Sequence, residues 1–234
     1  MQKTADGQVN KVDNAIESLF KAGAQFGFVK SRRHPSVKPY IFGLKNKTEI
    51  FDLEKTEVML EKAKAFVATL AAEGKTILFV GGKAEARGAV RDAAESIGMP
   101  YVDGRWIGGT LTNFSEIKKR VEKLKTLSTE KERGELAKYT KKERILIDKE
   151  IGDLEKKYGG LGDMKELPTA IFVVDSKHED IAVTEARKQN VAVAALCGSD
   201  CDLSKVDYPI VGNASAKASI SYFVKEIASV YKNS

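Results

Sequence analysis

Four runs of this chain stand out as apolar and rich in β-forming residues: "EIFDL" (49–53), "TILFVGG" (76–82), "AIFVVD" (170–175) and "VAVAALCG" (191–198). A strand with one wet face alternates in polarity, so an unbroken run rich in Ile, Val and Phe reads as a strand covered on both faces. Helical patterns separate the runs. In "LEKTEVMLEKAKAFVATLAAEG", Met59, Ala63, Phe66 and Leu70 recur at intervals of 4, 3 and 4, and Gly74 closes the pattern. Further helices are read over about 84–97, 179–189 and 214–231, and a weaker fifth strand lies in "MPYVDG" after Gly98. Strands alternating with helices call for an α/β fold, a parallel sheet flanked by helices.

One segment breaks the rhythm. From Ser115 to Tyr158, 24 of 44 residues are charged, and no strand is legible. Ile117, Val121 and Leu124 repeat at 4 and 3, and Ile147, Ile151, Leu154 and Tyr158 at 4, 3 and 4, the narrow seams of a coiled coil. Two antiparallel helices satisfy both, with turns at Ser128, Thr129 and Gly134, and "YGGLGD" returns the chain to the sheet. The reading is a coiled-coil hairpin (115–158) inserted into an α/β domain built from 1–114 and 159–234. Asn113 is expected to cap the first helix, with Glu116 reaching back as in a capping box.

Lys and Arg outnumber Asp and Glu by 39 to 33, a net charge of +6 that favours an anionic partner, nucleic acid before membrane surface. No stretch approaches 18 apolar residues, and "MQKTADGQVNKVDNAIESLF" has neither the charged and apolar regions of a secretion signal nor an Arg-rich transit pattern. The expected setting is therefore the cytoplasm, the absence of a transit pattern favouring a bacterial over an organellar source without deciding between them. Cys197 and Cys201 stand at C-x-x-x-C spacing with no further Cys or His nearby, so they complete no structural zinc set and read as a buried, reduced pair. No metal and no cofactor are expected.

Catalytic signals are absent as well. "FVGGKAEARGAV" (79–90) joins a strand, a glycine pair and a helix, yet it matches neither G-x-G-x-x-G nor G-K-[ST], although Asp103 follows at the distance of a ribose ligand. A phosphate loop and a plain tight turn remain the two readings of Gly81 and Gly82, and the first makes an α/β nucleotide-binding enzyme or regulator the alternative function. His34 and His178 have no adjacent nucleophile in a known motif, and Asp175, Asp200 and Asp202, at strand ends, read as caps.

The basic residues are more informative. Lys21, Lys30, Arg32, Arg33, Lys38, Lys45 and Lys47 fall in a segment without one acid, and six of them, Lys30 to Lys47, are the candidates for contacting phosphates. Phe26, Phe28, Tyr40 and Phe42 among them offer stacking to unpaired RNA bases, the other reading being a solvated loop over core aromatics. The hairpin carries 14 basic and 10 acidic residues, which i to i+4 pairing on a solvated helix largely accounts for. Lys118, Lys119, Arg120 and Lys123 follow the cap and extend a patch begun by Arg105. In "RWIGGTLTNF" (105–114) a glycine turn is expected to expose Arg105, Thr110 and Thr112, while Trp106 packs between hairpin and sheet.

"RWIGGTLTNF", "KPYIFGLKN", "FDLEKT", "ILFVGGK" and "LPTAIFVVDSKHEDIAVTEARK" occur in the order seen in one family. From about Ile16 to Tyr222 the chain resembles the family of ribosomal protein S-two of the bacterial small subunit. The resemblance implies a flavodoxin-like sheet with a protruding coiled-coil hairpin. It also implies a non-catalytic structural role in the small ribosomal subunit and contact with small-subunit rRNA, other ribosomal proteins including S-one, and translation initiation. The chain departs from the family in two loops. Gln25 and Phe28 stand where histidines are usual, so a metal contact through those histidines is not implied here, and Arg33 and His34 replace tryptophan and asparagine. Gly198, Ser199 and Asp200 replace Asp-Thr-Asn, and Leu203 replaces proline.

Overall fold

The computed structural model describes residues 14–162 and 164–233, so the leader reading of the N-terminus lies mostly outside the described residues. After a first helix, α1 (14–21), the chain forms β1 (Phe26–Val29), β2 (Ile41–Lys45) and β3 (Thr48–Phe51), then α2 (Leu53–Ala72). There follow β4 (Ile77–Val80), α3 (Ala84–Ser96), β5 (Tyr101–Val102), α4 (Phe114–Glu132), α5 (Lys141–Tyr158) and β6 (Ala170–Val174). The chain ends with α6 (Asp180–Lys188), β7 (Ala192–Cys197), β8 (Tyr208–Val211) and α7 (Lys217–Asn233).

Strands β4 to β8 form a five-stranded parallel sheet in the order β5-β4-β6-β7-β8. Counted within that sheet the order is 2-1-3-4-5, the flavodoxin-like arrangement, whose chain direction switches between its first and third strands, here β4 and β6. The unbroken apolar runs are explained by which side each residue serves. Ile77, Phe79, Phe172, Val174, Leu196 and Ile210 pack against α2, α3 and α7, while Leu78, Val80, Ile171, Val173, Val193 and Ala195 pack on the opposite face. Right-handed crossovers place the returns on opposite faces on either side of the switch. On the second face α6 fills only part of the layer. Trp106, Leu111, Ile117 and Val121, from the segment between β5 and α4 and from the root of α4, share the rest with Leu161, Met164, Cys201 and Val206. Trp106 is buried, as expected of it.

"EIFDL" corrects the sequence reading, because it is not in the parallel sheet. It becomes β3, the centre of a separate three-stranded antiparallel sheet ordered β1-β3-β2. Its burial alternates, with Glu49 and Phe51 buried and Thr48 and Ile50 only partly so, which the apolar letters alone conceal. The β2–β3 turn puts Asn46 and Lys47 at φ 50° and 67°, the positive pair of a type I′ hairpin. β8 escaped the sequence reading because "YPIV" contains a proline, tolerated here because β8 is an edge strand.

Helices α4 and α5 pair antiparallel across a turn that falls at Gly134 (φ 73°), not at Ser128 or Thr129, which lie inside α4. Leu124 and Leu154 are buried between them, and Lys123–Glu150 and Lys131–Asp148 bridge them. These charges pair across the two helices rather than at i to i+4 along one. Asn113 precedes α4 but makes no side-chain cap, and Glu116 turns to Lys119 instead. The capping box belongs to α5, where the Glu143 N–H donates to Thr140 Oγ1 and the Thr140 N–H to Glu143 Oε2.

Between α2 and α7, Glu57 is buried with one carboxylate oxygen unpartnered. Burial, helped by the charges of Glu61 and Glu226 against the opposing Lys64, pushes its carboxyl above the ordinary value of 4.5. Its charge therefore opposes folding, increasingly as the pH rises from the ordinary carboxylate range through the raised value. Glu57→Gln is expected to raise the melting temperature by roughly 1–3 °C at pH 7 and not at all at about pH 4. A gain of equal size at both pH values would contradict the charge explanation.

Candidate nucleic-acid interface

All five parallel strands end on one edge, and the candidate residues collect there. The loop after β7 is tied to the antiparallel sheet, since the Phe28 N–H donates to Ser199 Oγ at 2.9 Å and the His34 N–H to the Ser199 carbonyl at 2.9 Å. The segment after β5 carries "RWIGGTLTNF", and the hairpin leaves from it. The crevice of the topological switch, between the ends of β4 and β6, lies between these features.

That crevice is filled by the chain itself. Lys83 forms an ion pair with Asp175, whose Oδ1 also accepts from the Lys177 and His178 N–H groups at 3.1 Å each. The Gly82 N–H donates to buried Glu179 Oε1 at 3.1 Å, and the same oxygen meets His178 Nδ1 at 2.7 Å. A Cβ at Gly82 would stand 2.5 Å from the Gly104 carbonyl oxygen, so the glycine serves a close backbone approach rather than a phosphate cradle. Asp202 caps the short turn after β7 by accepting from the Ser204 N–H, as expected, whereas Asp200 pairs with Lys177 (3.0 Å) and Arg32 (3.9 Å) instead of capping. Cys197 and Cys201 are both free and buried.

"RWIGGTLTNF" is held by a residue that sequence reasoning missed. Glu185 of α6 accepts at Oε1 from the Gly109 N–H (2.7 Å) and Trp106 Nε1 (3.4 Å). Its Oε2 accepts from the Leu111 N–H (3.0 Å), the Thr112 N–H (3.3 Å) and Thr112 Oγ1 (3.3 Å). Burial opposes the charge, but the N–H groups of Gly109, Leu111 and Thr112, with Trp106, hold the carboxyl below its ordinary value. Gly109, at φ 94°, turns the loop so that these donors converge. The signal was present in "IAVTEARK": an acid at 185 inside the apolar stripe of Ala182, Val183 and Ala186.

The candidates divide accordingly. Thr110 is a correction, since it is buried and its Oγ1 donates to the Ile107 carbonyl at 2.6 Å. Thr112 is exposed but engaged by Glu185. Arg33 is also a correction: it is partly buried and pairs at 2.9 Å with fully buried Glu49, an acid just beyond the acid-free segment. Arg32 lies over the Phe28 ring, 4.5 Å from its centroid, and stays exposed. Lys30, Lys38, Lys45, Lys47, Arg105, Lys118 and Arg120 are exposed and form no ion pair among the described residues, while Lys119 pairs with Glu116 at 2.6 Å. On the outer face of the antiparallel sheet, Phe26 and Val29 are 45% and 41% exposed, and Phe42, in the bulge of β2, is 80% exposed. Among the described residues no group of His, Cys, Asp and Glu could hold a metal ion, and no helix is long and apolar enough to cross a membrane.

The family described as "Ribosomal protein S2" matches residues 19–234. The chain is 47% identical over 215 residues to "Small ribosomal subunit protein uS2" of Spiroplasma citri, covering 92% of this chain and 60% of that protein. With the protein of the same name from Sulfurimonas denitrificans it shares 43% identity over 212 residues, 91% of this chain and 82% of the relative. For Nocardia farcinica the figures are 42% over 214 residues, 92% and 75%. The chain belongs to the ribosomal protein S2 family.

Proposed function

We propose that this chain is a non-catalytic structural protein of the small ribosomal subunit, working in the cytoplasm, bound to small-subunit rRNA and neighbouring ribosomal proteins. The observation that carries the reading is the set of exposed cations on the strand-end edge with no carboxylate partner among the described residues: Lys30, Lys38, Lys45, Lys47, Arg105, Lys118 and Arg120. Unpaired Lys and Arg gain most from phosphates, because neutralising a phosphate releases its condensed counterions. The residues 115–158 act as an inserted unit that braces neighbouring RNA or protein. Ribosomal protein S-one is the protein partner that the resemblance implies, and the exposed Phe26, Val29 and Phe42 offer it an apolar surface. The nucleotide-binding enzyme is not favoured, because the lysine best placed to meet a phosphate at the switch, Lys83, is committed to Asp175.

The test is sedimentation of the tagged protein in lysate at low and high salt. It is expected to comigrate with small subunits at low salt and to be released as salt rises. Changing Lys30, Lys38, Lys45 and Lys47 to Glu together should lower subunit occupancy at least 10-fold, because each of about four phosphate contacts is lost. Unchanged occupancy of that variant would remove these lysines from the interface.

A further inference from the structure

Two concavities meet at the mouth of the switch-point crevice. One, of about 400 Å³, is lined by Gly82, Arg87, Arg105, Trp106, His178, Glu179 and Ile181. The other, of about 430 Å³, runs toward the hairpin root past Asp103, Glu155 and Lys156. Arg87 and Arg105 line both. Of the acids nearby, Glu179 is engaged by the Gly82 N–H and His178, and Asp103 by Arg91, while Glu155 is exposed on the hairpin side of the second concavity with no ion pair among the described residues.

Arg87, in the first turns of α3, is anchored by Nε donating to the Gly82 carbonyl at 3.1 Å, which leaves its terminal nitrogens without a partner among the described residues. Arg105 has no hydrogen bond or ion pair among them at all. An anchored guanidinium beside a free one, over a concave floor, matches the geometry of a phosphate group, which takes paired N–H donors better than point charges. Both arginines are exposed, so a free phosphate compound would be held only weakly in water, whereas a phosphate within a polymer draws on the polymer's other contacts.

We propose that Arg87 and Arg105 together clamp one phosphodiester of small-subunit rRNA at the mouth of the crevice. This rests on the ribosomal reading above and adds Arg87, a residue that no motif marks. The clamp sits where an open α/β sheet ordinarily binds small ligands, with the interior closed by the Lys83–Asp175 pair and only the rim left for use.

The experiment measures binding of the full chain to small subunits washed free of their own copy, between about 50 and 200 mM KCl. For Arg87→Gln with Arg105→Gln, the slope of log affinity against log salt is expected to fall by about 1, with affinity about 10-fold lower at low salt. Arg87→Lys with Arg105→Lys should restore the slope, since a point charge still displaces counterions. An unaltered slope in the double Gln variant, with wild-type binding intact and Trp106 emission unchanged, overturns the clamp alone. Failure of the wild type to bind overturns the clamp and the ribosomal reading together. Calorimetric titration with inorganic phosphate and with AMP should be flat at about 1 mM, as expected of two exposed arginines. Saturable binding that the double Gln variant abolishes would assign the pair to a free phosphate compound and overturn the RNA assignment.

Discussion

Glu185→Ala is expected to lower the melting temperature by roughly 10 °C and to expose Trp106 to acrylamide quenching, although residue 185 lies more than seventy positions from the loop that it holds. The carboxylate accepts five hydrogen bonds, and removing it leaves the N–H of fully buried Leu111 and the indole of Trp106 without a partner. Each buried donor left unsatisfied costs about 1–3 kcal/mol, so a total loss of about 3–5 kcal/mol is expected even if the Gly109 and Thr112 groups turn to water. Glu185→Gln should not rescue, because each oxygen receives at least two donors and an amide NH₂ in either place would face them with a donor of its own. Glu185→Asp, one methylene shorter, should fall short of the set. The sign of the pH dependence follows from the lowered carboxyl. A group with a depressed value in the folded state stabilises fully above the ordinary carboxylate range and loses that contribution as the pH falls through the folded value. The difference in stability between wild type and Glu185→Ala should therefore shrink below about pH 4. A constant difference down to pH 3, or a Gln variant as stable as wild type, would contradict the anion-clamp account.

This clamp also marks how far the sequence could be read. The sheet was legible because β4, β6 and β7 are buried on both faces, which forces continuous apolar runs. The helix pair was legible because Ile117, Val121 and Leu124 repeat with the period of one face of α4, whereas of the seam read on α5 only Leu154 is buried. What was not legible depends on partners distant in sequence. Arg33 looked free because its counter-ion, Glu49, lies beyond the acid-free segment and becomes buried only when β3 pairs with β1. Thr110 looked exposed because a glycine turn can aim side chains either way, and Glu185 decides which. Asn113 had the right identity and spacing for a capping box, yet Glu116 found Lys119 nearer. The site suffered more than the fold because burial patterns are periodic along the chain, whereas a charge's partner is not.

The Lys83–Asp175 pair should behave as a unit. Asp175 sits at φ 67°, a left-handed conformation that Asp tolerates better than most residues, and its side chain is almost wholly buried. Burial pushes its carboxyl up, but Lys83, the His178 N–H and the Cys201 thiol together hold it below its ordinary value of 3.8. Asp175→Asn keeps the shape and the backbone tolerance but leaves the lysine without its counter-charge, so a loss of about 3–5 kcal/mol is expected. Asp175→Ala should cost about 1 kcal/mol more, since alanine adds strain at a positive φ. Lys83→Met in the Asp175→Asn background should recover at least half of the loss, because the cost lies in an unpaired buried charge and removing both charges abolishes it. Additive losses in that double variant would mean that the two side chains act separately. Recovery would establish that the two charges stabilise the fold only as a neutralised pair, so that Lys83 is not available to an anion at the crevice, whose rim still offers Arg87 and Arg105.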